Sequence, residues 1–379
     1  MDKEIEVSVV LPCFNEEQTI GVCITKIKEI FDREGIKGEI IVADNNSTDK
    51  SRDIAQGLGV KVFVELERGY GAVYLKGIKE AKGKIIVIGD SDNTYDFYEI
   101  PKFLKPIREG YDFVIGSRFK GKIKKGAMPW MNRYIGNPIL SGMYKVLFHA
   151  KRYDVLCGMR AFTAESYHRM KLKTLGMEFA TEMIFSAMQN KLKIYEVPIN
   201  YYLRRGDSKL RPFSDAWRYI RFMLLYCPMW LYFIPGIIGF VFGSSILLIL
   251  LKGPFLFLGR EWGIHVMIFG SVLSILSYQI LNLGIYAHTY AVKEGFLRYD
   301  KIINLLQRSF SLEKGILIGG ILFSVGLLIN ILILLEWFSK DLGVLYRIRE
   351  SILAMTLLVI GLQTVFSSFF ISLLFLKKR

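Results

Sequence analysis

Four long apolar stretches near the carboxyl end of the chain constrain its fold more than any other feature. Each is close to the roughly 20 apolar residues that an α-helix needs to cross a bilayer. They are Tyr232–Leu251, Ile264–Ala287, Gly315–Trp337 and Ile352–Leu376. The sequence therefore predicts an all-α transmembrane domain with four helices over residues 231–379, in a multi-pass integral protein of the cell membrane.

Charged residues are concentrated in the part of the chain that precedes these stretches. Of the formal net charge of +15, residues 1–230 carry +9, and this part is long enough for one α/β domain with its own core. Basic residues flank the apolar stretches, so the positive balance favours a lipid bilayer as partner and not nucleic acid. The four cysteines and four histidines have no metal-like spacing, which argues against a zinc site.

The loops between the apolar stretches indicate an orientation in the membrane. Lys252–Gly263 and Ser339–Ser351 carry two and three Lys or Arg residues, whereas His288–Lys314 carries five and the chain ends in Lys377-Lys378-Arg379. The positive-inside rule then places both termini in the cytoplasm. The first residues lack the apolar segment of a signal peptide, so the amino-terminal domain is expected to be cytoplasmic as well.

Short β-prone runs alternate with helical patterns through the first 200 residues. The expected strands are Glu6–Pro12, Glu39–Ala43, Val60–Val64, Ile85–Ile88, Asp112–Gly116 and Ile194–Tyr202. Pro12 is expected to end the first strand, because proline cannot donate to a strand ladder. Strands and helices in this alternation predict an α/β domain with a parallel sheet and right-handed crossovers.

Carboxylates follow two of these strands at the point where each strand ends. Asp90 and Asp92 come directly after Ile85–Ile88, and Asp44 comes directly after Glu39–Ala43. Ligands of open α/β sheets bind outside the carboxyl ends of the strands. Two carboxylates at this spacing can bind a divalent cation that in turn holds the phosphates of a nucleotide. Asp44 is placed to accept hydrogen bonds from a ribose or a base.

Three basic segments extend the hypothesis of a phosphate-handling site at a membrane. Arg118–Arg133 contains six basic and no acidic residues, mixed with large apolar side chains, which is typical of a segment at lipid head groups. Arg204–Lys209 is a glycine-hinged basic loop, suited to close over a diphosphate and to neutralise the leaving group. Residues 211–230 predict interfacial amphipathic helices.

Six short motifs, taken in order, resemble those of family 2 glycosyltransferases of the GT-A fold. They are Val10–Glu17, Asp44 within Ala43–Asp49, Asp90-Ser91-Asp92, Gly116-Ser117-Arg118, Cys157–Arg160 and Arg204–Leu210. Within that family, the chain is similar to enzymes that move one hexose from a nucleotide sugar to a polyprenyl or dolichyl phosphate. The resemblance covers residues 1–210. It implies a Rossmann-like, mostly parallel sheet, an inverting transfer and a dependence on Mg²⁺ or Mn²⁺.

The resemblance also implies a role for the residues of these motifs. Those expected to bind the nucleotide are Pro12, Phe14, Glu16, Val42, Asp44, Asp90 and Ser91. The expected metal ligands are Asp90 and Asp92, with Thr94 beside them. The expected catalytic set is Asp92, Arg118, Arg133, Arg204, Arg205 and Lys209. In this set the loop cations and Arg118 neutralise phosphates, and Arg133 binds the acceptor phosphate.

The sequence does not decide which sugar is transferred, and whether the reaction needs a general base is a separate question. Mannosyl members of the family often have a glutamine where this chain has Thr94, and Asn93–Asp96 looks more like the glucosyl branch, so UDP-glucose and GDP-mannose are both candidates. A lipid phosphate is already ionised near neutral pH, since its second pKa is about 6. No carboxylate outside the metal site is therefore expected to act as a base, and Glu182 is the residue that could contradict this.

Two other functions are compatible with parts of the pattern. A processive polysaccharide or glycolipid synthase has an alcohol acceptor, but the Gln-x-x-Arg-Trp signature of those enzymes is missing from the sequence. A lipid flippase, or a membrane anchor with a nucleotide-binding domain, would function through the four spans. Their interior is poor in the ionisable residues that mark transport paths. Glycines such as Gly236 and Gly319 permit close helix packing, within one chain or in a homo-oligomer.

Overall fold

The structure is a computed structural model that describes residues 4–148, 153–206, 212–257, 259–293, 297 and 311–375. The chain divides into two compact units, and the division falls between Met223 and Leu224. The first unit is an α/β domain. The second consists mainly of long apolar helices.

The first unit alternates strands with helices. Its strands are β1 (Val7–Cys13), β2 (Gly38–Asp44), β3 (Lys61–Val64), β4 (Ile85–Ile88), β5 (Phe113–Ser117), β6 (Arg160–Thr163) and β7 (Ile194–Pro198). Its helices are α1 (Ile20–Glu34), α2 (Ser51–Gly57), α3 (Tyr70–Lys79), α4 (Ile100–Arg108), α5 (Asn137–Phe148), α6 (Ala164–Met170) and α7 (Phe179–Gln189). A 3-10 turn (Phe97–Glu99) precedes α4, and a widened helical turn (Asn132–Gly136) precedes α5. The helix α8 (Pro212–Leu225) follows.

The seven strands form one sheet in the order β3-β2-β1-β4-β6-β5-β7. Only β6 runs antiparallel to its neighbours within this sheet. The predicted α/β class with a mostly parallel sheet is confirmed. The strand Ile85–Ile88 is confirmed residue for residue, and the ends of the four other early strands differ from the prediction by at most one residue. The late strand is shorter than expected, because β7 ends at Pro198 and not at Tyr202.

Pro12 lies inside β1, so the expectation that it ends the strand is wrong. Pairing of β1 with β4 ends at Val10, whereas pairing with β2 continues through Pro12 to Cys13. The carbonyl oxygen of Pro12 accepts a hydrogen bond from the hydroxyl of Ser91, which follows β4 in the chain. The backbone of Pro12 therefore points towards β4, where pairing with β1 has already ended. A backbone N–H donor is not needed at this position, so proline is tolerated inside the strand.

Apolar side chains bury the central strands completely. Val9, Val10, Leu11, Ile41, Val42 and Val87 have no exposed surface, and α1 adds Ile20, Ile24 and Ile27, which are also fully buried. Parallel strands that are covered on both faces consist of continuous apolar runs, which is why these strands can be read from the sequence. The packed strands hold the residues that follow β1, β2 and β4 at one edge of the sheet.

The second unit contains four helices that are long and apolar enough to cross a membrane. They are α9 (Ile234–Leu251), which continues a widened turn over Met229–Phe233, α10 (Ile264–Lys293), α11 (Leu312–Ser339) and α12 (Ile348–Phe375). The four predicted spans are thus confirmed as helices, and the last three extend beyond the apolar stretches. A short hairpin of β8 (Phe255–Phe257) and β9 (Arg260–Trp262) connects α9 to α10. The sequence pattern does not predict this hairpin.

Glycines bring the backbones of neighbouring helices into contact. A Cβ atom at Gly361 of α12 would lie 2.5 Å from the nitrogen of Phe323 and 2.7 Å from the carbonyl oxygen of Gly319, both on α11. A Cβ atom at Gly243 of α9 would lie 2.7 Å from the carbonyl oxygen of Gly270 on α10. Small residues at helix contacts are typical of transmembrane packing.

Hydroxyl groups join α10 to α12. The side chains of Ser271 and Thr356 form a hydrogen bond of 2.6 Å, and so do those of Tyr278 and Thr364. Each threonine hydroxyl also bonds to a carbonyl one turn earlier in α12. These four hydroxyl groups are thus hydrogen-bonded within the protein, as an apolar surrounding requires.

We predict that Gly361→Val destabilises the second unit, because the added side chain meets backbone atoms of α11 that cannot yield. Overpacking of this kind costs about 1–3 kcal/mol. The thermal midpoint of the full chain in detergent should fall for this variant. Gly320→Val is the matched control, since a Cβ atom at Gly320 meets nothing within 4 Å. An equal fall for both variants would contradict the packing described above.

Candidate active site

The carboxyl ends of β1, β2 and β4 lie side by side, because β1 pairs in parallel with both other strands. The segments that follow them carry Glu16, Asp44, Asp90 and Asp92. Four carboxylates are therefore gathered at one edge of the sheet, where open α/β sheets bind their ligands.

Asp90 is held by two tyrosine hydroxyls. Tyr70 and Tyr74 of α3 both donate to its Oδ1 atom, at 3.0 and 3.1 Å. Burial raises the pKa of Asp90 to about 6, and the nearby charge of Asp92 adds to this rise, which the two hydroxyls oppose. On the other side, a Cβ atom at Gly158 would lie 2.6 Å from Oδ2 of Asp90. Any side chain at position 158 would clash with this oxygen, so the position requires glycine.

Asp92 has a different set of contacts for each oxygen. The backbone N–H and the hydroxyl of Thr94 both donate to Oδ1, at 3.0 and 2.5 Å. Oδ2 accepts from the guanidinium of Arg204 at 2.9 Å. Thr94 is buried and its hydroxyl is committed to Asp92. A contact between Thr94 and the metal stays a prediction.

Arg204 bridges two of the gathered carboxylates. Besides its bond to Asp92, its guanidinium donates to Oε1 of Glu16 at 2.6 Å. The backbone reaches this position because the N–H of Tyr202 donates to the carbonyl of Thr94, at 2.9 Å. Residues that are far apart in the sequence, Glu16, Asp92 and Arg204, therefore meet in one site, as the sequence motifs predict.

Asp44 presents an unused acceptor at the end of β2. The side chain is fully buried, and its Oδ2 accepts from the N–H of Ser47 at 3.0 Å and lies 3.4 Å from Nε of Arg52. Within the described part of the chain, Oδ1 has no hydrogen-bond partner. A buried oxygen without a donor costs free energy, which a ligand N–H or O–H can recover. This geometry suits a nucleoside.

Other residues predicted to bind the nucleotide have mixed surroundings. Ser91 is buried, and its bond to the Pro12 carbonyl ties the end of β4 to β1. Phe14 is exposed to 38%, so its ring is accessible to a base. Val42 is fully buried inside β2. Its contact with a nucleotide stays a prediction.

Arg118 is bound to an aspartate that the sequence does not single out. Its guanidinium makes two bonds to Asp154, at 2.8 and 2.7 Å, and its backbone N–H donates to the same carboxylate. Burial on its own lowers the pKa of Arg118, but the charge of Asp154 and its hydrogen bonds outweigh this and raise it. Neutralisation of a phosphate by Arg118 stays a prediction, and the structure shows that this guanidinium already has a carboxylate partner.

The remaining predicted cations lie elsewhere on the first unit. Arg133 is half-buried in the widened turn before α5, with its guanidinium carbon 5.4 Å from the ring centre of Tyr134. Arg205 is exposed. Lys209 falls outside the described residues. Among the predicted cations that the structure describes, Arg204 is the one that pairs with the metal-site carboxylate Asp92.

Glu182 is fully engaged in a structural role. One oxygen accepts from the N–H of Lys173, and the other accepts from the N–H and the hydroxyl of Thr174, at 2.6 to 3.0 Å. These bonds hold the loop before α7. The carbonyl of Leu175 in this loop accepts from the N–H of Ala72 and packs against Gly69. Glu182 therefore supports the turn that begins α3, which carries the two tyrosines at Asp90.

Sequence reasoning missed several residues of the site. Tyr70 and Tyr74 are four residues apart, the spacing of one helical turn, so their common face is a signal that could have been used. Gly158 lies in the Cys157–Arg160 motif, but the motif does not indicate its contact with Asp90, and Asp154 belongs to none of the six motifs.

The residues present fit a divalent cation whose coordination is completed by a diphosphate. Among the described residues, no group of three or more His, Cys, Asp or Glu side chains could hold a metal by itself. Asp90 and Asp92 are two neighbouring carboxylates whose negative charges repel each other. Asp92 already binds the guanidinium of Arg204. Mg²⁺ typically binds to one or two carboxylates together with substrate phosphates.

Comparisons with known proteins find family matches in both units of the chain. Residues 8–176 match the model of glycosyl transferase family 2, and residues 285–375 match that of the glycosyltransferase family 2 C-terminal transmembrane region. A low-salt glycan biosynthesis hexosyltransferase, Agl6, from Haloferax volcanii is 36% identical over 365 residues, which cover 96% of this chain and 87% of the relative.

Two further similarities concern the first unit. A dolichyl-phosphate hexose transferase of Haloferax volcanii is 34% identical over 213 residues, 56% of this chain and 89% of that protein. A crystal structure of glucosyl-3-phosphoglycerate synthase from Mycobacterium tuberculosis, in complex with Mn²⁺, UDP and glucosyl-3-phosphoglycerate, aligns with a TM-score of 0.49 at 22% identity. The alignment covers 59% of this chain and 80% of the synthase.

We predict that Asp154→Ala destabilises the first unit by leaving the buried guanidinium of Arg118 without its partner. Removing one member of a buried pair costs about 3 kcal/mol, or a fall of the thermal midpoint on the order of 10 °C. Thermal unfolding of the full chain in detergent measures this. Glu4→Ala, which breaks an exposed pair with Lys84, should change the midpoint little. Indistinguishable midpoints would show that the Arg118–Asp154 pair is not structural.

Proposed function

The chain belongs to glycosyltransferase family 2 and is a membrane hexosyltransferase, and we propose that it transfers one hexose from a nucleotide sugar to a polyprenyl or dolichyl phosphate. The observation that carries the proposal is the cluster of Glu16, Asp44, Asp90 and Asp92 at the ends of three adjacent strands. A site with a buried acceptor for a nucleoside and two carboxylates for a metal-bound diphosphate suits a nucleotide sugar.

The nucleoside is proposed to bind at the ends of β1 and β2. The free Oδ1 atom of Asp44 is placed to accept an N–H or O–H of the nucleoside, and the exposed ring of Phe14 offers a surface on which a base can stack. UDP-glucose and GDP-mannose both present such donors. The segment Asn93–Asp96, with Thr94 at the position where mannosyl members of the family often have glutamine, favours UDP-glucose.

The diphosphate is proposed to bind beside Asp90 and Asp92. A divalent ion, Mg²⁺ or Mn²⁺, would supply positive charge to the leaving diphosphate there. The protein's own residues prepare the site: Tyr70 and Tyr74 orient Asp90, and Thr94 orients Asp92. Arg204, already at the carboxylates, is the cation of this chain best placed to neutralise the leaving group.

The acceptor is proposed to be a lipid phosphate. One of its oxygens attacks the anomeric carbon from the face opposite the nucleotide. The bond from that carbon to the diphosphate oxygen breaks, and the nucleoside diphosphate leaves with the electron pair, so the configuration inverts. No proton moves, because the phosphate is already ionised at neutral pH. Positioning and charge neutralisation are then sufficient for the reaction.

An exposed apolar face on the first unit supports a lipid acceptor. The segment from Trp130 to Val146 exposes Trp130, Tyr134, Ile139 and Val146 to more than half of their surface. Exposed lysines, Lys122, Lys124 and Lys125, precede it in the chain. Apolar side chains next to cations are typical of segments that bind at lipid head groups. Arg133 within this segment remains the proposed ligand of the acceptor phosphate, since guanidinium groups bind phosphate with two hydrogen bonds.

The relatives support the same acceptor class. A protein that matches more than half of this chain is named a dolichyl-phosphate hexose transferase. The four helices provide an integral membrane location. The distribution of basic residues favours a cytoplasmic location for the catalytic unit and both termini, by the positive-inside rule. Assembly of several copies through the transmembrane helices stays a prediction.

The proposal is tested with membranes that contain the full chain, Mg²⁺ and a polyprenyl phosphate, given UDP-glucose or GDP-mannose in separate reactions. We expect a hexose-bearing lipid from one donor. Asp92→Asn should reduce its formation by roughly a hundredfold or more, because the divalent ion that neutralises the diphosphate loses a carboxylate ligand. Asp53→Asn, at an exposed position of α2, is the matched control. Release of free sugar or of a water-soluble polymer, without a lipid product, would contradict the proposal.

We also predict that Glu182→Gln retains turnover with a lipid phosphate, within about tenfold, at a temperature at which the variant is folded. Glutamine keeps the shape of the side chain but loses one acceptor for the 173–174 amides, so the thermal midpoint should fall. The pH dependence of turnover should keep its form. Complete loss of turnover with intact nucleotide binding would make Glu182 a base and favour an alcohol acceptor.

A further inference from the structure

Arg204 occupies the position at which the proposed site needs a cation. Its guanidinium bridges Asp92 and Glu16, at 2.9 and 2.6 Å. Asp92 is a proposed metal ligand, and Glu16 is a proposed nucleotide ligand. The side chain of Arg204 therefore binds both a proposed metal ligand and a proposed nucleotide ligand.

The contacts of Arg204 are incomplete. Its Nε atom is buried and, in the described part of the chain, has no hydrogen-bond partner. A buried donor without an acceptor costs free energy. The arginine side chain is exposed to 22%, so it has room to leave. The bridge thus satisfies two nitrogens of the guanidinium group, one at Asp92 and one at Glu16, and leaves Nε without an acceptor.

The backbone around Arg204 supports a local movement of this side chain. Tyr202, two residues earlier, is tied to the carbonyl of Thr94. Beyond Arg204, residue Arg205 is exposed, and Gly206 has a φ of +89°, which favours glycine. The segment is therefore anchored on one side of Arg204 and exposed on the other. A change at Arg204 need not disturb the sheet.

We propose that Arg204 is a tethered counter-ion that competes with the divalent cation for Asp92 and is released when the cation binds. This inference rests on the proposed metal site. Without a cation, Arg204 neutralises Asp92 and Glu16 and prevents their repulsion. When a divalent ion binds to Asp92, Arg204 leaves and is then free to reach the diphosphate. Binding of the ion to Asp92 thus makes Arg204 available to the diphosphate.

The first test measures Mn²⁺ binding to the purified full chain, without nucleotide or lipid, by the loss of the free-ion signal in electron paramagnetic resonance. Arg204→Met should bind Mn²⁺ roughly tenfold more tightly than the unaltered chain, because a charge-assisted bond at Asp92 no longer has to break. Arg204→Gln should behave in the same way. Equal or weaker binding by both variants, in folded protein, would overturn the proposal.

A matched control separates local competition from the general effect of removing a positive charge. Arg205→Met removes the neighbouring cation of the same segment and should change Mn²⁺ affinity by less than about twofold, since exposed charges are screened. A gain equal to that of Arg204→Met would attribute the effect to long-range charge and would overturn the inference.

A double-variant comparison tests whether Asp92 is the shared group. In the Asp92→Asn background, Arg204→Met should give no further gain in Mn²⁺ affinity, since neither the arginine nor the ion then has its carboxylate. Persistence of the full gain would show that Arg204 acts elsewhere, which would overturn the proposal. None of these measurements uses a sugar donor, so they stay valid if the proposed transfer reaction fails.

Hydrogen exchange gives an independent readout of the release. Saturation of the unaltered chain with Mn²⁺ should raise amide exchange in residues 203–206 by several-fold, because their tether to Asp92 and Glu16 is lost. In Arg204→Met, exchange of this segment should already be fast and should not respond to Mn²⁺. An unchanged or slower exchange in the unaltered chain would contradict release.

Discussion

Repulsion between carboxylates at the ends of β1, β2 and β4 is the constraint on which the rest of the first unit depends. The fold gathers Glu16, Asp44, Asp90 and Asp92 at one edge, and each brings a negative charge. Burial and the charge of Asp92 raise the pKa of Asp90 to about 6. The surrounding residues supply hydrogen-bond donors and one guanidinium to this edge. The proposed cation and diphosphate would bind at this cluster, and the protein must stabilise the cluster when they are absent.

The sequence predicts those features of the structure that depend on residues close together in the chain. Buried parallel strands are continuous apolar runs, and spans have a fixed length in a bilayer, so Ile85–Ile88 and the four long helices can be read directly. The aspartates that follow a strand can be placed at its end for the same reason. The Pro12 expectation fails because it assumes pairing on both sides of β1, and the ladder has already ended on one of them.

The parts that the sequence does not predict depend on contacts between distant residues. Tyr70 reaches Asp90 across 20 positions, Arg118 reaches Asp154 across 36, and Arg204 reaches Glu16 across 188. A sequence motif can indicate one residue of such a contact, but its partner is identified only from the folded structure. The consequence is largest for Arg118, where the motif alone indicates a free phosphate ligand and the fold gives the guanidinium a buried partner. It is similar for Glu182, which the fold assigns to holding the 173–175 loop.

A lipid phosphate as acceptor unites the two units of the chain in one function. It is already an anion, so the proposed reaction needs cations and orientation but no base. Glu182, the carboxylate that the sequence analysis names as a possible base, is engaged in bonds that hold the 173–175 loop. The most direct test of this central claim is a comparison of polyprenyl phosphate with the corresponding polyprenol as acceptor, under identical conditions, with the product bond identified by mass spectrometry and phosphorus NMR. The proposed function predicts a hexosyl phosphodiester from the phosphate and no product from the alcohol. A glycoside formed on the alcohol at a comparable rate would contradict it.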